Sequence, residues 1–415
     1  MIINHNIAAL NTYRYLTNVN NATQKSLERL SSGLRINRAA DDAAGLAISE
    51  KMRGQISGLT QAARNAQDAI SLIQTAEGGL NESQAILQRM RELAVQAASD
   101  TNTPADRAQI QKEIDQLSQE LSRIGNTTEF NTMPLLNGNF RGTFQIGANQ
   151  NQSMTVTIGD MRGYQLGVAG KVAVQQTASL ETGATISEGT YTVQKVSDTE
   201  YKLINSDGVQ VGKSTDGKTW TDMATTPNNQ FIFADAVTSG TITIANGKAT
   251  GTAYIDNMGL QAGTYTVDSS NNVLDSTGKK IGTYDAANKK IVDLSGNDLT
   301  GTVNTTLTST TFTVGGVDVS TQTAANSAIT IIQAALDKVS DQRSALGAYQ
   351  NRLEHTINNL NTAGENLTAA ESRIRDVDMA EEMMSFTRNQ IIAQAATAML
   401  AQANAQPQLV LQLLR

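Results

Sequence analysis

The chain has 415 residues, 39% hydrophobic and 17% charged, with aromatics at only 4% and a formal net charge of -7. That length accommodates two or three domains, and so few large rings point to Ala-rich helices and thin sheets rather than one deep core. The mild acidity argues against a general nucleic-acid binder, which would show a basic face.

Without cysteine, disulfides, zinc ribbons and thiol nucleophiles are excluded. The only two histidines, His5 and His355, cannot build a His-rich metal site and read as surface or packing residues. No stretch approaches the ~18 consecutive apolar residues of a membrane span, so no membrane insertion is expected. The start, Met1-Ile2-Ile3-Asn4-His5-Asn6, lacks the charged and apolar regions of a cleaved signal peptide. Any export would then read another signal.

Composition divides the chain into three blocks. Residues 1 to about 128 and about 321 to 415 are rich in Ala, Gln, Leu, Ile and Arg; about 140 to 315 is rich in Gly, Thr, Ser, Val and Asn. Helical ends thus flank a strand-like middle. The first segment carries a weak apolar stripe at Ile3, Ile7, Leu10, Leu27, Leu30 and Leu34.

From Met52, steps of four and three reach Ile56, Leu59, Ala63, Ala66, Ile70, Ile73, Glu77, Leu80, Gln84, Leu87, Arg91, Ala94 and Ala98. A seven-residue repeat held this long predicts a coiled-coil seam. At 1.5 Å per residue it is roughly 70 Å long, which points to a rod. Gly78-Gly79 interrupts the stretch at a cost of roughly 1 kcal/mol per Gly, explained by close packing or by a bend. A second helix opens with Thr103 as N-cap, Pro104 in the first turn and Asp106 completing the cap. Its seam runs Ile110, Ile114, Leu117, Leu121, Ile124, with Gly125 as the expected stop.

The middle reads as short strands. Thr190–Val193 and Tyr201–Ile204 are strand-like, and Asn205-Ser206-Asp207-Gly208 is a turn. Gly189-Thr190-Tyr191-Thr192-Val193 recurs as Gly263-Thr264-Tyr265-Thr266-Val267, and Asn205–Gly208 with Gly212 aligns with Asp275–Gly278 and Gly282. Two related β units or shared turn chemistry would both produce this likeness.

The last block repeats the heptad pattern from Ile329 through Ile332, Leu336, Val339, Arg343, Leu346, Gln350, Leu353, Ile357, Leu360, Gly364, Leu367, Glu371 and Ile374. Two seams at opposite ends of the chain each need a partner. The economical solution is that they pack on each other, leaving the middle as an outward insertion. The final segment carries Val377, Met384, Ile391, Ala395, Ala398, Leu409, Val410, Leu411, Leu413 and Leu414. Isolated helices of this kind are marginal in water. They are expected either to order on assembly or to form an ordinary helix pair. Asp41-Asp42 and Glu381-Glu382 read as solvated or intersubunit charges.

No zinc-binding His-Glu-x-x-His helix and no phosphate-binding loop occurs. The chain is therefore read as a non-enzyme without cofactor. Its fold class is multi-domain α plus β: a long antiparallel coiled-coil or helical rod formed by both chain ends, with a central β-rich outer domain.

Several segments resemble the bacterial flagellin family. They are Met1–Leu10, Leu27–Asn37, Ala39–Ile48, Arg89–Gln96, Glu371–Asp378 and Leu413-Leu414-Arg415. The resemblance covers about residues 1–165 and 310–415. It implies residues 1–38 and 379–415 as terminal helices of a filament core, 39–175 and 310–378 as a helical-bundle rod with a β-hairpin region, and 176–309 as a variable surface domain. It also implies a subunit that travels unfolded through the flagellar type III export channel and polymerises into a helical homopolymer for motility. A chaperone would hold the C-terminal segment, and junction and cap proteins would be further partners.

In this reading Ile3, Ile7, Leu10, Leu27, Ile391, Leu411 and Leu414 serve filament-core assembly, while Ile56, Leu59, Ile70, Ile73, Ile114, Leu117, Leu336, Leu346, Leu353 and Leu360 form the seams. Arg89, Leu93 and Glu113 match the family's contact pattern for protofilaments and for a host Toll-like receptor. The family's surface Ser and Thr are often O-glycosylated, against which stands ordinary β-sheet Thr. The alternative is a hook–filament junction-type flagellar protein; a secreted adhesin is a further one.

Overall fold

A computed structural model of the chain describes residues 6–413 apart from 198, 206, 224–228 and 308–309, with residues 229 and 407–413 described by backbone alone. The described chain falls into two compact units. One comprises residues 1–69, 143–154 and 352–415, and the other residues 70–142 and 155–351.

In the first unit, helix α1 (Ile7–Ser32) begins at Asn6, whose side chain accepts from the Ala9 backbone, and ends at Gly33 with φ +71°. That left-handed conformation suits glycine and lets the Gly33 N–H bond the Arg29 carbonyl at 2.8 Å. Helix α2 (Ala43–Ala97) starts in this unit and helix α5 (Gln322–Arg375) ends in it, followed by α6 (Met379–Leu413). The units therefore cut both long helices, at residues 69/70 and 351/352, where composition carries no signal.

The second unit holds α3 (Pro104–Thr127), with the expected capping box between Thr103 and Asp106. Gly125 does not stop it. The helix continues to Thr127, and Gly125 instead makes room for Arg162, whose Cγ would lie 2.6 Å from an added Cβ. Gly79 is likewise explained by close packing, since a Cβ there would meet Thr128 and Leu136 at 2.8–3.0 Å. Nothing crowds Gly78, and α2 runs through both without a break.

After α3 come β1 (Glu129–Phe130), β2 (Met133–Pro134), β3 (Arg141–Gln145), β4 (Ser153–Thr157), a single-turn helix α4 (Gly163–Leu166) and the long β5 (Ala169–Ser179). Four strands follow as a meander: β6 (Gly189–Ser197), β7 (Glu200–Ile204), β8 (Gln210–Ser214) and β9 (Thr219–Asp222). Then come β10 (Asn229–Ile232), β11 (Gly240–Ala245) and β12 (Lys248–Ile255). A second meander is β13 (Gly263–Val267), β14 (Asn272–Leu274), β15 (Lys280–Asp285) and β16 (Lys290–Asp293), and β17 (Thr311–Gly316) returns the chain to α5.

All strands from β5 onward belong to one antiparallel sheet with order β10-β9-β8-β7-β6-β11-β12-β5-β17-β13-β14-β15-β16. Both ends of this sheet curl back. Leu180 bridges Phe231, and Glu181 N–H bonds Gln230 O at 2.8 Å, closing the β10 end onto the chain after β5. At the other end Leu299 N–H bonds Ile291 O at 2.7 Å, and Thr300 bridges Asn257, just beyond β12. The result is two closed β lobes sharing the β5–β12 ribbon, paired from Lys248↔Ser179 to Ile255↔Val172. Closure leaves no open edge to recruit a foreign strand at these points.

Each lobe has its own core. One is centred on Trp220, Phe231, Phe233, Ile242 and Tyr191, the other on Phe312, Tyr265, Val267, Val273 and Ile291. Burying one such side chain contributes roughly 1.5–3 kcal/mol, so small lobes suffice despite the low aromatic content. The two segments alike in sequence share their turn geometry. Gly208 and Gly278 both adopt φ near +80°, and Asn205 and Asp275 bond the backbones of Val209 and Lys279 in the same way. Gly212 and Gly282 both lie under a carbonyl, of Thr221 and Val292, that a Cβ would strike.

Candidate assembly surface

The two chain ends meet within the first unit. Asn6 donates from Nδ2 to Ala403 O at 2.8 Å, and Arg29 pairs with Glu382 at 3.4 Å, so α1 and α6 run antiparallel. Beyond them the strands of chain that follow α1 and precede α6 bond each other through Arg35 N–H to Arg375 O and Val377 N–H to Gly33 O. Glu382 is therefore not a free solvated charge. Neither are Asp41, which pairs with Lys25 at 2.8 Å, and Asp42, which accepts from Gly45 N–H at the start of α2.

The helix pair leaves much apolar surface uncovered. Ile7, Leu10, Tyr13, Tyr15 and Leu27 on α1, and Met384, Ile391 and Met399 on α6, are each more than half exposed. Large apolar side chains in such density mark an interaction surface. Ile3 and Leu414 lie outside the described residues, as does the side chain of Leu411. Both ends form helices paired with one another.

The seams are mostly buried. Ile70, Ile73, Ile114 and Leu346 are buried in the second unit, and Leu353 and Leu360 in the first. Ile56, Leu59 and Leu117 are half-buried. Leu336 is also half-buried: Ile332, Ala335 and Val339 take the buried positions, and Leu336 lines a shallow groove with Gln84, Gln88 and Gln333. The polar interruptions of the two patterns answer each other. Arg343 bonds Gln84 and pairs with Glu77 at 3.7 Å, and Gln350 donates to Glu77 at 3.3 Å. Sequence spacing located these four residues but not their pairing.

Arg89 reaches across to Glu113, donating from Nε at 3.0 Å and from Nη2 at 2.8 Å, and also to Glu92 at 3.3 Å. The Glu113 carboxylate, with Glu92 beside it, raises the Arg89 pKa above its ordinary value. Both partners of the Arg89–Glu113 pair are about half exposed, whereas Leu93 is 2% exposed and packs inward. Leu93 thus offers little surface of its own.

Among the described residues no group of three or more His, Asp or Glu could hold a metal ion, and no helix is long and apolar enough to cross a membrane. The class defined by the architecture is one of paired helical termini flanking a β-rich insertion. Residues 3–141 match the model of the bacterial flagellin N-terminal helical region, and residues 329–414 that of the C-terminal helical region. A flagellin of Clostridium tyrobutyricum is 43% identical over 98% of this chain and 100% of its own length. One from Bacillus subtilis is 40% identical over 100% of both. The flagellar junction protein of Legionella pneumophila overlays at a TM-score of 0.35 and 15% identity, covering 80% of this chain and 100% of its own, too little to carry weight. The chain belongs to the bacterial flagellin family, extracellular structural components of the flagellar filament rather than enzymes.

Proposed function

We propose that this chain polymerises through α1 and α6 into the flagellar filament that drives motility. The observation that carries this reading is the uncovered apolar surface of the paired ends. Burying it between copies supplies the driving force, at roughly 25 cal/mol per Å² of apolar area. Residues 1–38 with 379–415 then form the filament core, 39–175 with 310–378 the rod, and 176–309 the outer surface. The subunit travels unfolded through the flagellar export channel with a chaperone on its C-terminal segment, and meets junction and cap proteins at the filament ends.

Removing residues 380–415 tests this. The truncated chain is expected to stay soluble and fail to form filaments in sedimentation and electron microscopy. Normal filaments from it would overturn the proposal, and short oligomers only from the intact chain would favour a junction protein instead. The full-length flagellin relatives support the filament reading.

The exposed Arg89–Glu113 pair supports a separate surface that serves both axial subunit contact and recognition by a Toll-like receptor. Arg89→Ala is expected to lower receptor activation. Equal potency of variant and wild type removes Arg89 from that role.

A further inference from the structure

Five large apolar side chains are conspicuously exposed on α6: Met379, Met383, Met384, Ile391 and Met399. Four of the five are methionines, drawn from 12 in the whole chain. The matching set on α1, Ile7, Leu10, Tyr13, Tyr15 and Leu27, contains none. Elsewhere Met90 and Met154 lie inside, at 0% and 5% exposure, while Met133, Met223 and Met258 are exposed outside the α1–α6 pair.

Thioethers differ chemically from the aliphatic side chains that could fill the same space. Hydrogen peroxide transfers one oxygen atom to the sulfur. The sulfur is oxidised by two electrons, the O–O bond breaks, and water leaves, giving methionine sulfoxide. An apolar, flexible side chain becomes a polar one. On a solvated helix that change is nearly neutral. In a surface that must be buried against another chain, it leaves a sulfoxide oxygen to desolvate.

We propose that Met379, Met383, Met384 and Met399 are a peroxide-modification site that switches the α6 surface from assembling to non-assembling. The inference rests on the polymerisation proposed above. In the unassembled chain the sulfurs are open to oxidant; once α6 is covered by neighbouring copies they are protected. Oxidant then acts on subunits before incorporation and spares finished filament.

The test treats purified full-length chain with hydrogen peroxide and follows two readouts, peptide mass spectrometry and elongation from filament seeds. A gain of about 16 Da is expected at the four α6 methionines ahead of Met90 and Met154. Elongation should fall about tenfold or more, and methionine sulfoxide reductase with its thiol reductant should restore it. Preformed filaments should resist both changes. The variant Met379→Leu/Met383→Leu/Met384→Leu/Met399→Leu should elongate equally before and after peroxide.

Unchanged elongation of oxidised wild type overturns the proposal, as does equal loss in the Leu variant. If the Leu variant cannot assemble, reductase rescue of wild type decides alone: failure to rescue overturns it. Untreated wild type that forms no filament sinks the polymerisation reading itself, an outcome distinct from all of these.

Discussion

Tyr191 and Tyr265 perform the same task in different lobes. Each donates its phenol hydroxyl to the carbonyl four residues earlier, Tyr191 to Ser187 at 2.6 Å and Tyr265 to Gln261 at 2.8 Å. Each buries its ring in its own core. The latch fixes how the chain enters the first strand of each meander, and it accounts for the repeated Gly-Thr-Tyr-Thr-Val.

Removing either hydroxyl should cost about 1 kcal/mol, the usual net value of such a bond. The single Trp, Trp220, is fully buried in the first lobe, so its fluorescence reports that lobe's unfolding. Tyr191→Phe is expected to lower the urea midpoint of the Trp220 transition. Tyr265→Phe should shift that transition only as far as the two lobes unfold together. A Tyr191→Phe midpoint equal to wild type would remove the latch from the account.

Coupling between the lobes runs through Asp235. Its buried carboxylate accepts from Asn304 N and Nδ2 at 3.0 and 2.7 Å, and from Thr305 N and Oγ1 at 3.0 Å each. Its own N–H donates to Gln176 Oε1 on the shared strand β5 at 2.9 Å. Asp235→Ala leaves two backbone donors without an acceptor, and such losses at a charged acceptor cost about 1.5–3 kcal/mol. Stability should fall by that order, and the Trp220 transition should become insensitive to Tyr265→Phe. Persistence of full coupling in the Asp235→Ala chain would show that the ribbon alone joins the lobes.

The helical ends were legible because heptads and caps are local. Ile70, Ile73, Leu346 and Leu353 stood at the expected spacing, and Thr103–Asp106 announced its helix. Leu336 is only half-buried because its neighbour Ala335 takes the buried position, while Ile332, Val339, Leu346 and Leu353 keep the seven-residue step. Gly125 misled because its absent side chain serves a neighbour, Arg162, distant in sequence. Closure of the two lobes depends on Leu180–Phe231 and Leu299–Ile291, pairings that no turn signal encodes. The apolar stripes of the termini were visible, but which part of them stays uncovered is a property of packing.

The polar set Glu77, Gln84, Arg343 and Gln350 should fix the antiparallel register of α2 and α5 within the second unit. An apolar seam tolerates slippage by a heptad, whereas misaligned charges do not. Glu77→Ala and Arg343→Ala are each expected to destabilise by about 1 kcal/mol, with a coupling energy of about 0.5 kcal/mol in the double-mutant cycle, as both side chains are partly solvated. Additive losses would mean that the pair does not sense its register.

Acid should weaken the link between α1 and α2. Asp41 pairs with Lys25 and accepts backbone N–H groups of Asn37 and Arg38 at 3.2 and 3.1 Å. The hydrogen bond from Lys25, then that from Arg38, lowers its pKa from 3.8 to about 2. A depressed carboxyl contributes stability that is complete above its unfolded value and disappears as pH falls toward the folded one. The contribution is thus present at neutral pH and is lost progressively from about pH 4 down through about pH 2. For a pair reached by solvent it is no more than about 1 kcal/mol and shrinks with salt. Asp41→Asn keeps an oxygen acceptor but loses the charge. It should lower thermal stability at pH 7 and flatten the pH dependence below 4, and the gap between the two proteins should narrow steadily toward pH 2. A constant gap between them from pH 7 to pH 2 would show that Asp41 acts by shape and hydrogen bonding, not by its charge.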